Sequence, residues 1–109
     1  MHEIKAIIRR DRLESVLDAL HQMAGVPGIT VSTVTGFGRR QPTTAGAGAF
    51  GEVEMTKLEV VVPHAMLSEA LGKIRKAACT GHPGDGKVFV FPVEQAMKIR
   101  SDEQGIDAL

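Results

Sequence analysis

Apolar and polar residues alternate in several short segments of this chain, which is typical of β-strands. This pattern predicts a strand over residues 3–9 and another over 29–40, where "ITVSTVTGFGRR" stands. "KLEVVV" at 57–62 predicts a third strand, and "KVFVFPV" at 87–93 predicts a fourth. "MKIR" at 97–100 is a candidate for a short fifth strand.

Two other segments repeat their apolar residues every three or four positions, which predicts amphipathic helices. The first is expected to begin behind Asp11, which with Glu14 matches the spacing of a capping box, and to end near Gly25. The second lies between the third and fourth strands and ends at Cys79. The apolar stripes consist of Leu13, Val16, Leu17, Leu20, Met23 and Ala24, and of Leu67, Ala70, Leu71, Ile74, Ala77 and Ala78.

The predicted order is therefore βαββαβ. Two helices that each bury one stripe against the same face of an antiparallel sheet form an α+β, ferredoxin-like sandwich. A chain of 109 residues is long enough for one core, so we expect a single domain over residues 1–109. This fold supports many functions and does not by itself determine one.

Composition excludes several functional classes. Thirteen basic residues balance thirteen acidic ones, whereas a general nucleic-acid-binding protein needs a basic excess. There is no Trp and no Tyr on which bases could stack. The apolar runs are too short for membrane insertion, and one cysteine, Cys79, excludes an internal disulfide. We therefore expect a cytoplasmic protein that binds no nucleic acid.

The segment 40–56, "RQPTTAGAGAFGEVEMT", joins two predicted strands where a two-residue turn would suffice. Loops of this length in small domains are usually functional or disordered. A hairpin tip without a role is one interpretation, and a loop that binds a ligand or partner is the favoured one. Because the segment has few large side chains, we expect it to become ordered only against a ligand or partner.

A second unusual segment is "TGHPGDGKVFVF" at 80–91, in which a glycine-rich turn precedes an apolar strand. One interpretation is structural: the helix ends, the chain turns and a strand begins. The other is an anion site, because N–H groups at Gly84 and Gly86 could approach phosphate oxygens while Lys87 supplies charge. It is not a Walker A loop, since Val88 follows the lysine.

Several motifs together resemble the PII family of nitrogen-regulatory signalling proteins. They are "AIIR" at 6–9, "TVSTVTGFGR" at 30–39, "LEVVVP" at 58–63 and "TGHPGDGKVFVFPVEQAMKIR" at 80–100. The resemblance implies a homotrimer that binds ATP or ADP in three clefts between subunits and catalyses no reaction. It also implies that the 40–56 loop corresponds to the family's T-loop, which docks on target proteins.

The resemblance also assigns binding roles. It places Lys87, Arg39 and Arg100 (with Lys98) on the nucleotide phosphates, and Thr30 with the main chain at Val61 on the adenine. The full set implied for the nucleotide is Ile7, Thr30, Gly36, Phe37, Gly38, Arg39, Arg40, Val61, Gly84, Asp85, Gly86, Lys87, Phe89, Lys98 and Arg100.

Three positions depart from the family pattern. In the family, a glutamine follows "GFGR" and helps to hold 2-oxoglutarate and a metal, whereas this chain has Arg40 at that position. A lysine of the family pairs the 2-oxoglutarate carboxylate, whereas this chain has Met55 there. No tyrosine is available for uridylylation. We therefore do not expect 2-oxoglutarate to bind, while Mg²⁺ remains a candidate companion of the nucleotide. A membrane transporter and a nitrogen-metabolism enzyme are both candidate targets of the T-loop.

Other functions stay open. The chain could be a ferredoxin-like trimer that binds AMP, cyclic AMP, bicarbonate or a metal, or a structural trimer like the copper-tolerance proteins. It could also be an enzyme that uses Cys79, His82 and Asp85, if these three faced one cleft. The four histidines show no ligand-type spacing, so no dedicated metal site is expected.

Overall fold

A computed structural model describes residues 1–39 and 50–109 of the chain. The elements follow in the order β1 (His2–Ile8), α1 (Leu13–His21), β2 (Thr30–Arg39), β3 (Phe50–Val62), α2 (His64–Ala78) and β4 (Gly86–Pro92). Two short 3₁₀ helices lie at Arg10–Arg12 and Gly105–Ala108. The predicted order βαββαβ is confirmed.

The four strands form one antiparallel sheet in the order β2-β3-β1-β4. The central strand β1 aligns Ile8 with Thr56 of β3 on one side and with Gly86 of β4 on the other. Both helices pack against one face of this sheet and against each other. The expected α+β, ferredoxin-like sandwich is therefore confirmed.

The core lies between the helices and the sheet, and the sequence pattern explains why. Ile4, Ala6 and Ile8 alternate along β1 and are at most 1% exposed, because alternate residues of a strand point to the same face. Helix α1 buries Val16 and Leu20 in the same core. Further core residues are Met23, Leu58, Val60, Val62, Ala70, Ile74 and Ala78.

No helix covers the other face of the sheet among the described residues. It carries the odd-numbered residues of β1, including Lys5, whose Nζ lies 4.9 Å from the ring centre of Phe91. On the edge strand β4, Phe89 and Phe91 share this face, whereas Val88 and Val90 point to the helix side, and all four are 36–46% exposed. The isolated chain therefore presents exposed apolar side chains along one sheet edge, of the kind that subunits bury.

Strands β2 and β3 extend well past the end of β1. Strand β1 pairs only with residues 56–62 of β3, whereas residues 34–39 and 50–55 pair with each other and form a two-stranded ribbon. The loop expected over 40–56 is therefore wrong for residues 50–56, which are strand. The remaining part of that loop, 40–49, lies outside the described residues.

The third strand begins seven residues before the predicted start at Lys57. Sequence reasoning missed this extension because "FGEVEMT" lacks the continuous apolar run of a buried strand. The extension instead satisfies its backbone hydrogen bonds against β2, with Glu54 opposite Thr35 and Glu52 opposite Phe37. A ribbon that extends past the core needs pairing partners more than it needs a continuous run of apolar residues.

The first helix begins and ends differently from the prediction. Residues Arg10–Arg12 form a 3₁₀ turn, α1 starts at Leu13, and no side chain caps its N-terminus. The capping box proposed for Asp11 and Glu14 is therefore wrong. The helix ends at His21 rather than near Gly25, although Met23 beyond its end is still buried in the core.

The candidate fifth strand over 97–100 is also wrong. Only Met97 forms a strand-like bridge, to Gln104, and the chain between them is a tight turn. Its backbone hydrogen bonds join Lys98 N to Glu103 O at 2.8 Å and Asp102 N to Lys98 O at 3.0 Å. Ile99 at this turn is 95% exposed, so it has no sheet to pack against.

Candidate functional site

Residues 80–86 connect α2 to β4, and we call this segment the elbow. Gly84 and Gly86 have φ angles of +93° and +98°, which residues with a side chain rarely adopt. The glycines predicted at these positions therefore allow the chain to turn sharply. They also leave the backbone N–H groups of the elbow unobstructed by Cβ atoms.

Asp85 stands between the two glycines and holds the elbow together from within. Its carboxylate accepts hydrogen bonds from the Thr80 N–H at 2.9 Å, the Gly81 N–H at 3.0 Å and the Thr80 hydroxyl. The Nε of Arg9 adds a fourth donor at 2.9 Å, and this contact is also a salt bridge. The segment closes on itself around one carboxylate, which accepts from N–H groups four and five residues earlier in the chain.

These contacts favour the charged form of the carboxyl group. The hydrogen bonds from the Thr80 side chain, and then from Arg9, hold the pKa of Asp85 far below its ordinary value of 3.8. Asp85 was predicted to contact the nucleotide. Because its side chain already accepts four hydrogen bonds, only its backbone is free for such a contact.

Arg9 reaches the elbow from the end of β1, far away in the sequence. Besides its contact with Asp85, its Nη2 donates to the carbonyl oxygen of Pro83 at 2.6 Å. A Cβ placed on Gly84 would lie 3.4 Å from the same Nη2. One guanidinium thus joins two points of the elbow to the end of the central strand β1.

A depression of about 680 Å³, which we call the elbow depression, lies between the elbow and the ribbon. Many of the residues that sequence analysis assigned to the nucleotide line it, and they come from three separate parts of the chain. Those that line it are Ile7, Gly36, Phe37, Gly38, Gly84, Asp85, Gly86, Lys87 and Phe89. The side chain of Lys87 is exposed beside the elbow, where it can carry the positive charge for an anion.

Two predicted residues lie elsewhere. Thr30 and Val61 line a second, smaller depression, which we call the distal depression, together with Glu3, Glu59 and the C-terminal Leu109. Thr30 stands six residues from Gly36 on β2, which places the two about 20 Å apart along the strand. The adenine residues and the phosphate residues implied by the resemblance are therefore not brought together within one chain.

The remaining predicted cations are also separate from the elbow. Lys98 and Arg100 lie in the turn after β4, near the end of the sheet where Val93 N donates to Met1 O at 3.1 Å. Neither residue lines the elbow depression. The backbone of Arg39 ends β2 opposite Phe50, and Arg40 lies outside the described residues.

Sequence reasoning missed some parts of this site. Val53 lines the elbow depression because β3 is longer than predicted, and Met55 and His82 join it there. The roles of Arg9 and Thr80 as donors to Asp85 were also missed. The signal for Thr80 was its place five residues before an Asp that is flanked by glycines, but nothing in the sequence connected Arg9 to it.

The residues described by the structure contain no group of three or more His, Cys, Asp or Glu side chains that could hold a metal ion. His2 and His64 do lie together, with ring centres 5.3 Å apart and the Nδ1 of His2 buried without a hydrogen-bond partner. Because these two residues are 62 positions apart in the chain, the spacing of the histidines in the sequence did not predict this contact. Two imidazoles alone do not complete a metal site.

The groups that the elbow presents suit the binding of an anion. Asp85 is saturated with donors, and Cys79 does not line the depression that His82 and Asp85 share. Backbone N–H groups, Lys87 and apolar walls suit an anion attached to a flat, apolar group. No helix in the described parts of the chain has the length and apolar character needed to cross a bilayer.

These features define a ferredoxin-like, ligand-binding regulatory module. They are a sheet covered by helices on one side, the glycine elbow, and a projecting ribbon. Comparison with known proteins makes this specific. The family model described as "Nitrogen regulatory protein P-II" matches residues 1–103. The chain belongs to the P-II family of nitrogen regulatory signalling proteins, which confirms the resemblance seen in its motifs.

Individual relatives agree. The chain is 42% identical to the nitrogen regulatory protein P-II of Azospirillum brasilense and 43% identical to that of Mesorhizobium japonicum, with complete coverage of both chains in each comparison. Among solved structures, Arabidopsis thaliana PII bound to citrate matches with a TM-score of 0.82 and 35% identity. That match covers 99% of this chain and 91% of the plant chain. Proteins of the family are trimers that act on target proteins.

Proposed function

We propose that this protein is a homotrimeric regulator that binds ATP or ADP in clefts between subunits and passes the nucleotide state to a target protein. One observation supports the inter-subunit site above all. The elbow depression and the distal depression of one chain are separated by about 20 Å of β2. A nucleotide held at one elbow would therefore meet the Thr30 of a neighbouring chain rather than its own.

The elbow would hold the phosphates. Backbone N–H groups around Gly84 and Gly86 can converge on phosphate oxygens, and Lys87 beside them would supply a point charge. Arg39 would approach from the end of β2. Gly36 and Gly38 would leave room for the ligand, since Gly36 has only Val53 O and Met55 near the place of a missing Cβ, at 3.7 and 3.9 Å.

The neighbouring chain would hold the adenosine part. Thr30 and the main chain at Val61 would contact the adenine, and Glu59 in the same depression adds an acceptor for a base amino group or a ribose hydroxyl. Ile7 and Phe89 would form the apolar wall on the elbow side. Arg100, with Lys98, would add positive charge from the C-terminal turn of that neighbour.

The output would be regulatory. We propose that the loop within 40–56 docks on a target in the cytoplasm, either a nitrogen-metabolism enzyme or a membrane transporter. Mg²⁺ would accompany ATP, with Arg40 or Glu52 as residues that sense the phosphates or their metal. Because Met55 offers no charge to a carboxylate, 2-oxoglutarate would not be a second effector. The protein would act by binding and would catalyse no reaction, because holding a nucleotide requires neither a general base nor a nucleophile.

A calorimetric series with ATP, ADP, AMP, cyclic AMP and 2-oxoglutarate tests this proposal. We expect ATP and ADP to bind, with Lys87→Ala weakening both by about ten- to a hundredfold through loss of a charge-assisted contact. Lys73→Ala on α2 is the matched control, because it removes the same charge away from the elbow. Unchanged ATP affinity in Lys87→Ala would make the phosphate assignment wrong. Preference for AMP or cyclic AMP would support the other small-ligand functions instead.

A further inference from the structure

We propose that Arg9 is a positioning residue for the phosphate site: it holds the elbow in its binding shape without touching the nucleotide. This inference rests on the proposed nucleotide function and extends it to a residue outside the binding depression. Arg9 does not line the depression that contains Lys87 and Gly86. It borders an adjoining depression with Arg10, Glu54 and Pro83, and the two depressions meet at Val53, Met55 and Gly84.

The geometry explains why this position suits arginine. One guanidinium donates through Nε to Asp85 at 2.9 Å and through Nη2 to Pro83 O at 2.6 Å, so it fixes two points of the elbow at once. A lysine ammonium is a point donor on a flexible stem and does not reproduce this fork. The Arg9 side chain is 32% exposed and that of Asp85 24%, so water screens their contact only partly.

Thr80 anchors the elbow from its other end. Its hydroxyl donates to Asp85 and accepts a hydrogen bond from the His82 N–H at 3.2 Å. Thr80 and Arg9 therefore hold the same carboxylate, and both side chains donate to its Oδ1. Gly84 and Gly86 flank Asp85 in the chain. Loss of either donor would remove a constraint on this turn, in which Gly84 and Gly86 adopt φ angles that glycine reaches most readily.

The functional consequence follows from preorganisation. A site made of backbone N–H groups binds phosphate well only when those groups already point at one place. A loosened elbow should therefore lose affinity for the phosphates and keep its affinity for the adenosine part. This distinction separates positioning from a general loss of structure, which would weaken both.

The test is calorimetric titration of ATP and of adenosine into variants of the full chain. We expect Arg9→Gln to weaken ATP binding about tenfold and to leave adenosine binding within about twofold. Arg9→Lys should restore little, because its ammonium cannot reach both acceptors. Thr80→Val should behave like Arg9→Gln, whereas Thr80→Ser keeps the hydroxyl and should bind ATP like the parent protein.

Arg10→Gln is the matched control. It removes the same charge from the next residue, whose guanidinium contacts Glu54 at 3.3 Å and not the elbow, so ATP affinity should stay within about twofold. Circular dichroism confirms that each variant is folded, and Thr80→Val tests the inference if Arg9→Gln does not fold.

Three results would overturn the inference while the nucleotide function stands. They are parent-like ATP affinity in Arg9→Gln and Thr80→Val, an equal loss of adenosine affinity, and complete restoration by Arg9→Lys, which would show a role for charge alone. A parent protein that binds no adenine nucleotide would instead remove the proposed function, and the inference with it.

Discussion

Gly86 lies so close to Ile7 that a Cβ atom on it would stand 1.7 Å from the Ile7 carbonyl oxygen and 2.8 Å from its carbonyl carbon. Backbone rather than a flexible side chain occupies this space, so it cannot yield easily. The contact arises because Gly86, the last residue of the elbow, is also the first residue of β4 and lies beside β1. Gly86 thus belongs to the turn, begins the pairing of β4 with β1, and lines the candidate site.

Gly86→Ala should destabilise the protein by about 3 kcal/mol or more, because the clash adds to the strain of a φ of +98°. Chemical denaturation with urea measures this loss. Gly72→Ala is the control: Gly72 is exposed within α2 and nothing lies near its missing Cβ, so the change should stabilise by about 0.5–1 kcal/mol. Similar stabilities for the two variants would contradict the close approach of β1 and β4.

Asp85 should make the stability of the protein depend on acid pH. Its pKa is lowered in the folded protein, so the unfolded chain takes up the proton first as the pH falls. The stabilisation is therefore complete above about pH 5 and is lost progressively as the pH falls through and below the ordinary value of 3.8. Urea midpoints of the parent and Asp85→Asn should differ most at pH 7, and the difference should shrink steadily between about pH 5 and pH 2. A constant difference between them would show that the carboxylate is not held as described.

Asp102 is the one residue other than glycine with a positive φ, +62°, among the parts of the chain that the structure describes. It closes the C-terminal turn that carries Arg100. Asp tolerates this conformation better than most residues, so Asp102→Gly should change stability by less than about 1 kcal/mol. Asp102→Val should cost about 1–2 kcal/mol, because a β-branched residue is strained there. Thermal unfolding of both variants checks this difference, and equal melting temperatures would contradict the turn.

The apolar edge of the sheet should be buried between subunits. We expect light scattering at micromolar concentration to give three times the chain mass of 11.7 kDa. Phe91→Glu on the helix-free face should shift the protein toward smaller species, because it replaces a large apolar side chain with a carboxylate that loses its water when the interface forms. Ser68→Glu on the outer side of α2 should leave the trimer intact. A monomeric parent protein, or a Phe91→Glu variant that stays trimeric, would contradict this arrangement.

Met55 should prevent 2-oxoglutarate from strengthening nucleotide binding. It lies in the elbow depression and offers a thioether where a dicarboxylate would need a cation. Titrations of ATP with Mg²⁺, with and without 2-oxoglutarate, should give affinities within about twofold of each other. A tenfold increase in affinity with 2-oxoglutarate would show that another residue replaces the missing charge.

Much of this architecture could be predicted from the sequence, because local patterns carry it. Alternation of apolar and polar residues predicted β1, and apolar residues at helical spacing predicted the buried stripe of α2. The glycines around Asp85 predicted the turn at the elbow. The errors came where local rules compete. The spacing of Asp11 and Glu14 suggested a cap that a 3₁₀ turn replaces, and the polar strand over 50–56 looked like loop because it lacks a buried face.

Only the tertiary structure decided how distant residues meet. By itself the sequence determined the order of elements, the core stripes and the glycine-rich turn, since each depends on neighbours in the chain. It could not show that Arg9 reaches Asp85 across 76 positions, or that Thr30 and Gly36 belong to different depressions. Such contacts depend on strand order and register, and these are set by packing of the whole sheet rather than by any one segment.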